Sequence, residues 1–251
     1  MAINLDAIRN RLNGLKNANN RTSNIWKPEP GEHQIRIVPY THNRENPFIE
    51  LYFYYNLAKR SIVSPSSFGR PDPIIEAANK LKQVGDKESW LQGRQLEPKM
   101  RTYVPVLVRG QENEGVKFWG FGKQLYQELL SFIADPDYGD ITDLHEGRDI
   151  VVTVKSAEEA GKSYAETTIR IKPKQTPATD NPAVLEKIKD QPAITELYPE
   201  PTYEELNGYL RTWVGQAEEQ SQEVDYKKSA ESPKQSVTKA DVEDAFDDLF
   251  N

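Results

Sequence analysis

Two stretches of this sequence alternate cationic and aromatic side chains with a period of two residues. The first holds Lys99, Arg101 and Tyr103, and the second holds Lys117, Trp119, Phe121 and Lys123. Residues two apart in a strand point to the same face of a sheet. A face that mixes cations with exposed rings suits single-stranded nucleic acid, because cations contact phosphates and unpaired bases stack on rings. Both stretches therefore predict strand faces that bind unpaired nucleic acid.

Earlier strands add three candidates of the same kind. Arg36 points away from the face that holds Ile35 and Ile37, and Tyr52 and Tyr54 share one face. The competing interpretation is that strand aromatics are core, because they bury much area and favour β-structure. We expect a core position for Phe53, Tyr55 and Phe118. Flanking cations favour exposure for Trp119 and Tyr103, because buried lysines need partners.

Residue types that support other chemistry are scarce. The sequence has no cysteine and three histidines, which excludes disulfides, thiolate metal sites and cysteine nucleophiles. The acidic run 135–146 resembles a calcium loop, but Gly139 and Asp140 stand where a ligand and then a glycine are needed. Phosphate-binding glycine loops and the serine nucleophile elbow are missing from the sequence. We expect no catalytic residue, no metal site and no cofactor.

Charge is distributed unevenly along the chain. The 32 basic and 39 acidic side chains give a net charge of −7, which alone argues against nucleic acid. Residues 1–123 carry 19 basic and 12 acidic side chains, residues 124–215 carry 9 and 17, and residues 216–251 carry 4 and 10. The basic front half predicts an anionic partner, and the acidic tail predicts a separate role. No apolar run could span a membrane, and no secretory leader is expected.

Periodicity predicts the elements that must position these residues. Strands are expected over 33–39, 48–55, 99–110, 116–122, 149–155 and 165–172, and helices over 3–16, 74–84, 123–134, 181–190 and 201–216. The strands 99–110 and 116–122 form a hairpin. This pattern is typical of a β-rich α+β protein, with a small barrel and helical additions.

The chain is expected to divide into an N-terminal arm (1–20), one core domain (21–220) and a disordered acidic tail (221–251). The arm and its hinge carry Arg9, Arg11, Lys16 and Arg21. Two interpretations of the arm remain open: a helix packed on the core, or a mobile basic segment that contacts a neighbouring molecule.

The tail ends in an acidic amphipathic tip, DVEDAFDDLFN. Such a peptide on a flexible tether favours capture by partner proteins, and the alternative is a merely solubilising tail. The predicted partner-binding residues are Asp244, Phe246, Asp247, Asp248, Leu249 and Phe250.

Several segments resemble one known family, the single-stranded DNA-binding (helix-destabilising) proteins of T-even-type bacteriophages and their marine-phage relatives. The segments are QIRIVP (34–39), NPF (46–48), KMRTY (99–103), ENEGVKFWGFGKQLY (112–126), EGRDIVVTVK (146–155), YEELN (203–207) and the terminal DDLFN, and they occur in the family's order. The resemblance implies an OB-fold core, that is, a small five-stranded barrel. It also implies a non-enzymatic protein of the infected host's cytoplasm that coats unpaired DNA in replication, recombination and repair. A basic arm would mediate self-association, and an acidic tail would recruit replication and recombination proteins.

Carried over by position, the resemblance places a set of basic and aromatic residues in or near the DNA cleft. They are Arg36, Trp90, Lys99, Arg101, Tyr103, Trp119, Phe121 and Lys123. The family's structural zinc, held by three cysteines and one histidine, has no counterpart here. The loop 64–74 has no cysteine, and Tyr54 stands at the histidine position. The family's run of basic residues followed by Ser or Thr survives only in part, in NRTS (20–23) and KMRT (99–102).

Two other classes of function compete with single-stranded DNA binding. The first is an adaptor or structural protein whose basic half meets an acidic protein. The second is a nuclease or another DNA-processing enzyme, which would need a divalent-metal site that the sequence does not reveal. A fluorescence titration with oligo(dT) separates the adaptor from the DNA binder.

Overall fold

The structure is a computed structural model, and it describes residues 24–58 and 60–228, with side chains described up to residue 215. The described strands are β1 (Ile25–Trp26), β2 (Gly31–Ile37), β3 (Ile49–Tyr54), β4 (Ile62–Val63), β5 (Lys99–Val108), β6 (Lys117–Phe121), β7 (Arg148–Lys155) and β8 (Glu166–Gln175). The α-helices are α1 (Pro73–Gln83), α2 (Lys87–Gln95), α3 (Lys123–Ala134), α4 (Ala157–Ala160), α5 (Pro182–Lys189), α6 (Ile194–Leu197) and α7 (Tyr203–Lys228). Strands and helices together make an α+β protein with a sheet of mixed direction.

The described part of the chain forms two compact units. Within the described residues, unit one comprises 24–50 and 100–199, and unit two comprises 51–99 and 200–228. Unit two is therefore assembled from an insertion into unit one and from the C-terminal helix α7. That helix runs from Tyr203 to Lys228.

Unit one is built on strands in the order β1-β6-β5-β2-β7-β8. β1 pairs with β6 in parallel, whereas the other neighbours in this order are antiparallel. Gly31 opens β2 with a φ of 133°, a conformation that glycine adopts without strain. The helix α3 connects β6 to β7.

One face of this sheet forms the main core of unit one. Alternation places Ile35 and Ile37 of β2 on it, together with Ile150 and Val152 of β7. Helix α3 covers this face, because its spacing puts Leu125 and Leu129 on one side and both are buried there. The alternation predicted for β2 and the helix predicted over 123–134 are confirmed.

The opposite face carries a smaller apolar cluster. Val38 and Leu107 contribute to it from the sheet side, and Val184 and Ile188 contribute from α5. Asn181 caps α5, because its side chain accepts a hydrogen bond from the Ala183 N–H at 2.9 Å. Both faces of the unit-one sheet are therefore covered over part of their area.

Unit two combines a short hairpin with three helices. In the hairpin of β3 and β4, Phe53 lies opposite Val63. Helices α1 and α2 pack closely at Gly93, where an added Cβ would lie 2.7 Å from the Ala78 carbonyl oxygen. Leu206 and Leu210 of α7 are fully buried in the same core. The sequence pattern indicated α1 and α7, but it missed α2, β1 and β4.

Candidate nucleic-acid interface

The hairpin of β5 and β6 places the two alternating sets of residues on opposite faces of the sheet. Residues paired across antiparallel strands share a face, and Val104 pairs with Trp119 while Tyr103 pairs with Gly120. The set of β6 therefore lies on the face of Val104, which belongs to the main core. Arg101 and Tyr103 lie on the other face. Period two correctly identified which residues share a face, but it did not identify which face is covered.

The aromatic residues of the β6 set are core residues. Trp119 is 2% exposed and Phe121 is 4% exposed. The Trp119 ring packs 4.7 Å from the Phe121 ring and 5.8 Å from the Trp26 ring, measured between centroids. Lys117 reaches the edge of this face and binds Glu114. The expectation of exposed rings on β6 is wrong, because α3 covers the face on which they lie.

Arg36 lies on the predicted side of β2, yet it has no exposed surface. Its Nε donates to Asp149 Oδ1 at 2.9 Å, and its Nη2 donates to Thr176 Oγ1 at 2.6 Å. Arg109 binds the same carboxylate, with Nε at 3.0 Å from Oδ2 and Nη2 at 2.7 Å from Oδ1. The guanidinium of Arg36 is therefore a structural group within unit one, and the expectation that it faces DNA is corrected.

In the ionic cluster around Asp149, burial and charge pairing have opposite effects on the pKa values of the buried groups. Burial by itself would raise the pKa of the Asp149 carboxyl, but hydrogen bonds from Arg109 and Gln34 and the charges of both arginines hold it below its usual value. Burial lowers the pKa of the Arg36 guanidinium, and the charge of Asp149 opposes that effect.

The other face of the β5–β6 hairpin carries an accessible cation beside two tyrosines. Arg101 is exposed, and its Nη2 donates to the Gly120 carbonyl oxygen at 2.8 Å. The Tyr103 ring lies against Gly120, where an added Cβ would be 2.6 Å from Tyr103 Cε1. Tyr103 is 5% exposed, so the expectation that its ring is open to solvent is wrong.

Tyr198, which follows α6, completes this group. Its hydroxyl donates to the Tyr103 hydroxyl at 2.8 Å, and the two ring centroids are 5.2 Å apart. Tyr198 is the more exposed ring of the pair. The sequence reasoning missed it because it lies in an irregular segment, and its only local signal is that it precedes Pro199.

Two further cations of the predicted site are exposed. Lys123 begins α3 immediately after Gly122, and Lys99 begins β5. Lys123 and Arg101 belong to unit one, whereas Lys99 belongs to unit two. The predicted cations therefore occur in both units.

In unit two, Trp90 is the accessible aromatic residue of the predicted set. Its indole is 43% exposed and lines a pocket of about 420 Å³ together with Lys82, Gly85, Asp86 and Lys87. The guanidinium carbon of Arg94, one helical turn later, is 5.2 Å from the ring centroid. Lys82 forms an ion pair with Glu97. The exposed ring of Trp90 therefore lies near several cations, one of which is neutralised by its partner.

The remaining predicted aromatics of unit two are less accessible. Tyr52 is partly exposed, and Tyr54 is buried. The Tyr54 hydroxyl donates to Asp72 Oδ2 at 2.9 Å, and the Ser64 hydroxyl donates to the same oxygen. Burial, followed by the charge of Asp72, raises the pKa of the Tyr54 hydroxyl. The expectation that Tyr54 faces DNA is corrected, because its hydroxyl is committed to this buried carboxylate.

The loop where the resemblance would place a zinc site does not offer the donors that zinc requires. Structural zinc sites are built from cysteine and histidine, and the residues here are Tyr54, Ser64 and Asp72. Asp72 Oδ1 also accepts the Ile74 N–H at 2.9 Å and caps α1. No group of three or more His, Cys, Asp or Glu positioned to hold a metal occurs within residues 24–58 and 60–228.

Several predicted residues lie outside the described part of the chain. They are Arg9, Arg11, Lys16 and Arg21 of the arm and Asp244, Phe246, Asp247, Asp248, Leu249 and Phe250 of the tail. The described helices include none that is both long enough and apolar enough to cross a bilayer.

No curated protein matches the chain. A family model described as gp32 DNA-binding protein like matches residues 29–213, a span that includes the ionic cluster, the Arg101–Tyr198 group and Trp90. The chain therefore belongs to the family of gp32-like DNA-binding proteins.

Proposed function

We propose that this protein binds single-stranded DNA without reading its sequence and coats unpaired strands during phage replication, recombination and repair. The match of residues 29–213 to a family of DNA-binding proteins carries the proposal. The preference for single strands is supported by the exposed indole of Trp90, because unpaired bases can stack on such a ring whereas a duplex hides its base faces.

Each unit contributes exposed cations. Unit one offers Arg101 and Lys123, and unit two offers Lys87 and Lys99. Cations of this kind neutralise phosphates and release counterions, which makes affinity depend on salt. Stacking on a ring tolerates any base, so the combination favours binding that is independent of sequence.

The strand connectivity of unit one supports an OB-fold core. Counting β2, β5, β6, β7 and β8 as strands one to five, the spatial order is three-two-one-four-five, and α3 lies between strands three and four. This order is that of a five-stranded OB barrel opened between its third and fifth strands. OB folds bind oligonucleotides on a strand face and its adjoining loops.

The parts of the chain outside the described residues complete the proposal. The arm with Arg9, Arg11, Lys16 and Arg21 mediates contacts between neighbouring copies on DNA. The acidic tail, with Asp244, Phe246, Asp247, Asp248, Leu249 and Phe250, recruits replication and recombination proteins. Its acidic tip is held near the basic surfaces at high effective concentration, so it competes with DNA until DNA is bound. The protein acts in the cytoplasm of the infected bacterial host.

A salt-series titration of the full chain tests the proposal. Intrinsic tryptophan fluorescence is followed as oligo(dT), oligo(rU) and a duplex are added between 50 and about 500 mM salt. We expect binding to oligo(dT) whose log affinity falls by about 0.7 per log salt for each phosphate neutralised on a single strand. Absence of a response to oligo(dT), or an affinity that does not change with salt, would overturn the proposal and favour the adaptor.

Two charge variants sharpen this test. Arg101→Ala should reduce the salt slope by about 0.7, because one phosphate contact is lost. Lys189→Ala is the matched control, since Lys189 is equally charged, 72% exposed and paired with Glu186 on α5. An equal reduction of the slope in both variants would show that Arg101 has no specific role.

A further inference from the structure

We infer that Tyr198 and Arg101 form a single-nucleotide subsite of unit one, in which the base stacks on Tyr198, the phosphate meets Arg101, and Tyr103 positions the stacking ring. This inference rests on the proposed binding of single-stranded DNA. Tyr103 is the aromatic residue that the sequence pattern predicted on this face, whereas no motif indicated Tyr198.

The side chains of Arg101, Tyr103 and Tyr198 form a continuous group around Gly120. The Arg101 guanidinium is fixed at the Gly120 carbonyl by its 2.8 Å hydrogen bond. The Tyr103 ring fills the space where Gly120 lacks a side chain. The Tyr198 ring follows at 5.2 Å from Tyr103. One cation and one partly exposed ring are thus linked through a buried ring and a glycine, all within unit one.

Tyr103 and Tyr198 differ in their exposure to solvent. Tyr103 is 5% exposed and has too little open surface to stack a base. Tyr198 is the more exposed residue of the two, and part of its surface is open to solvent. Its hydroxyl donates to the Tyr103 hydroxyl at 2.8 Å, and this contact limits the orientations that the Tyr198 ring can adopt. A stacking ring that is already oriented loses less conformational entropy when a base binds.

Hydrogen bonds anchor the segment that carries Tyr198. The Ile194 N–H of α6 donates to the Tyr40 hydroxyl at 3.0 Å. The Tyr40 ring in turn meets Phe118 of β6 edge to face, with centroids 6.0 Å apart. The Tyr198 N–H donates to the Ile194 carbonyl at 3.1 Å. The backbone of Tyr198 is therefore fixed relative to the sheet that holds Arg101.

The test uses the full chain, oligo(dT), and an oligo(dT) of equal length that carries abasic positions. Tyr198→Ala should weaken oligo(dT) binding about tenfold, within the range known for loss of one stacked base. It should leave the salt slope unchanged, because no phosphate contact is lost. The wild-type chain should lose affinity when bases are removed, and Tyr198→Ala should lose less. A purely structural role of Tyr198 would not change this sensitivity to bases.

Further variants separate stacking from positioning. Tyr198→Trp keeps an aromatic face and should retain binding within about threefold. Tyr103→Phe and Tyr198→Phe each remove one end of the hydroxyl contact, so the double variant should bind no more weakly than the single ones. Tyr203→Ala is the matched control, because Tyr203 is 45% exposed but lies beside Glu76 in unit two.

The failure of this inference is distinguishable from failure of the proposed function. If the wild-type chain binds oligo(dT) and Tyr198→Ala binds equally well at an unchanged thermal stability, the subsite is wrong and the proposed function stands. If the wild-type chain shows no binding, the proposed function itself is wrong. Photo-cross-linking of 5-iodouracil DNA should label Tyr198, and labelling confined to other residues would also overturn the subsite.

Discussion

Arg36 and Asp149 form a buried ion pair across neighbouring strands, with Arg36 Nη2 at 2.8 Å from Asp149 Oδ1. Their side chains are 0% and 6% exposed. The partners are 113 positions apart in the sequence, and Arg109, which directly follows β5, binds the same carboxylate. The pair therefore connects β2 and β7 of unit one at a point where Arg36 is fully buried and Asp149 nearly so.

Replacing Arg36 should affect stability rather than the DNA surface. Arg36→Ala leaves part of the Asp149 charge uncompensated in the interior, and we expect a loss of about 3 kcal/mol in the free energy of unfolding. Urea denaturation measures this loss, with Lys189→Ala as the exposed control expected to change stability by less than about 0.5 kcal/mol. A variant of unchanged stability and weakened DNA binding would show that Arg36 contacts DNA.

The same carboxylate predicts a dependence of stability on pH. The pKa of Asp149 is lowered in the folded state, so its contribution is present above the ordinary aspartate pKa of about 4 and is lost as the pH falls through the lower folded value. Denaturation at successive pH values below 5 should show this decline. Asp149→Asn should be less stable at pH 7 and should lose stability less steeply in acid. An identical acid slope in both proteins would contradict the assignment.

Replacing Trp119 with alanine should lower stability, whereas replacing Trp90 with alanine should lower DNA affinity. Trp119 is 2% exposed in the main core, so Trp119→Ala should cost about 3–5 kcal/mol of stability. Trp90→Ala should leave stability nearly unchanged and should weaken oligo(dT) binding about tenfold without changing the salt slope. Thermal denaturation and titration of each variant measure both properties. A destabilised Trp90→Ala that binds normally would remove Trp90 from the interface.

Asp72 should stabilise unit two without any metal. It caps α1 and accepts hydrogen bonds from the hydroxyls of Tyr54 and Ser64. Asp72→Ala should therefore lower the free energy of unfolding by about 2–3 kcal/mol. Tyr54→Phe keeps the cap and should cost less. The melting temperature of the wild-type chain should not change with added zinc or with a chelator, and a chelator-sensitive melt would show that a metal site had been overlooked.

Thr102 offers an opportunity for stabilisation. Its side chain is buried, and its Oγ1 has no hydrogen-bond partner within the described residues. Valine has nearly the same shape and no hydroxyl to desolvate, so Thr102→Val should be neutral or more stable by about 1 kcal/mol. A clear loss of stability in denaturant titration would indicate that the hydroxyl is satisfied in solution.

The sequence predicted which residues share a face, because strand periodicity is a local property. It placed Ile35 with Ile37 and Trp119 with Phe121, and the strands confirm both pairs. It did not predict which face is covered, because the cover comes from α3, which is made of other residues. The burial of Arg36 was equally hidden, since its partner Asp149 lies on another strand far along the chain.

The candidate site was predictable only in part for the same reason. Of the residues that the sequence singled out, Arg101, Lys123 and Trp90 are exposed. Tyr103 is buried, and its hydroxyl is hydrogen-bonded to Tyr198, which lies in an irregular segment without periodicity. A family resemblance transfers positions, whereas the accessibility of each position depends on contacts specific to this chain.

The assembly of unit two from an insertion and a C-terminal helix has a consequence for the order of synthesis. Every described residue of unit one emerges from the ribosome before Tyr203, whereas the core of unit two needs Leu206 and Leu210 to close over Leu81 and Leu96. Domains fold as units while the chain grows. Unit one can therefore complete its core during translation, whereas unit two cannot complete its core until α7 has been made.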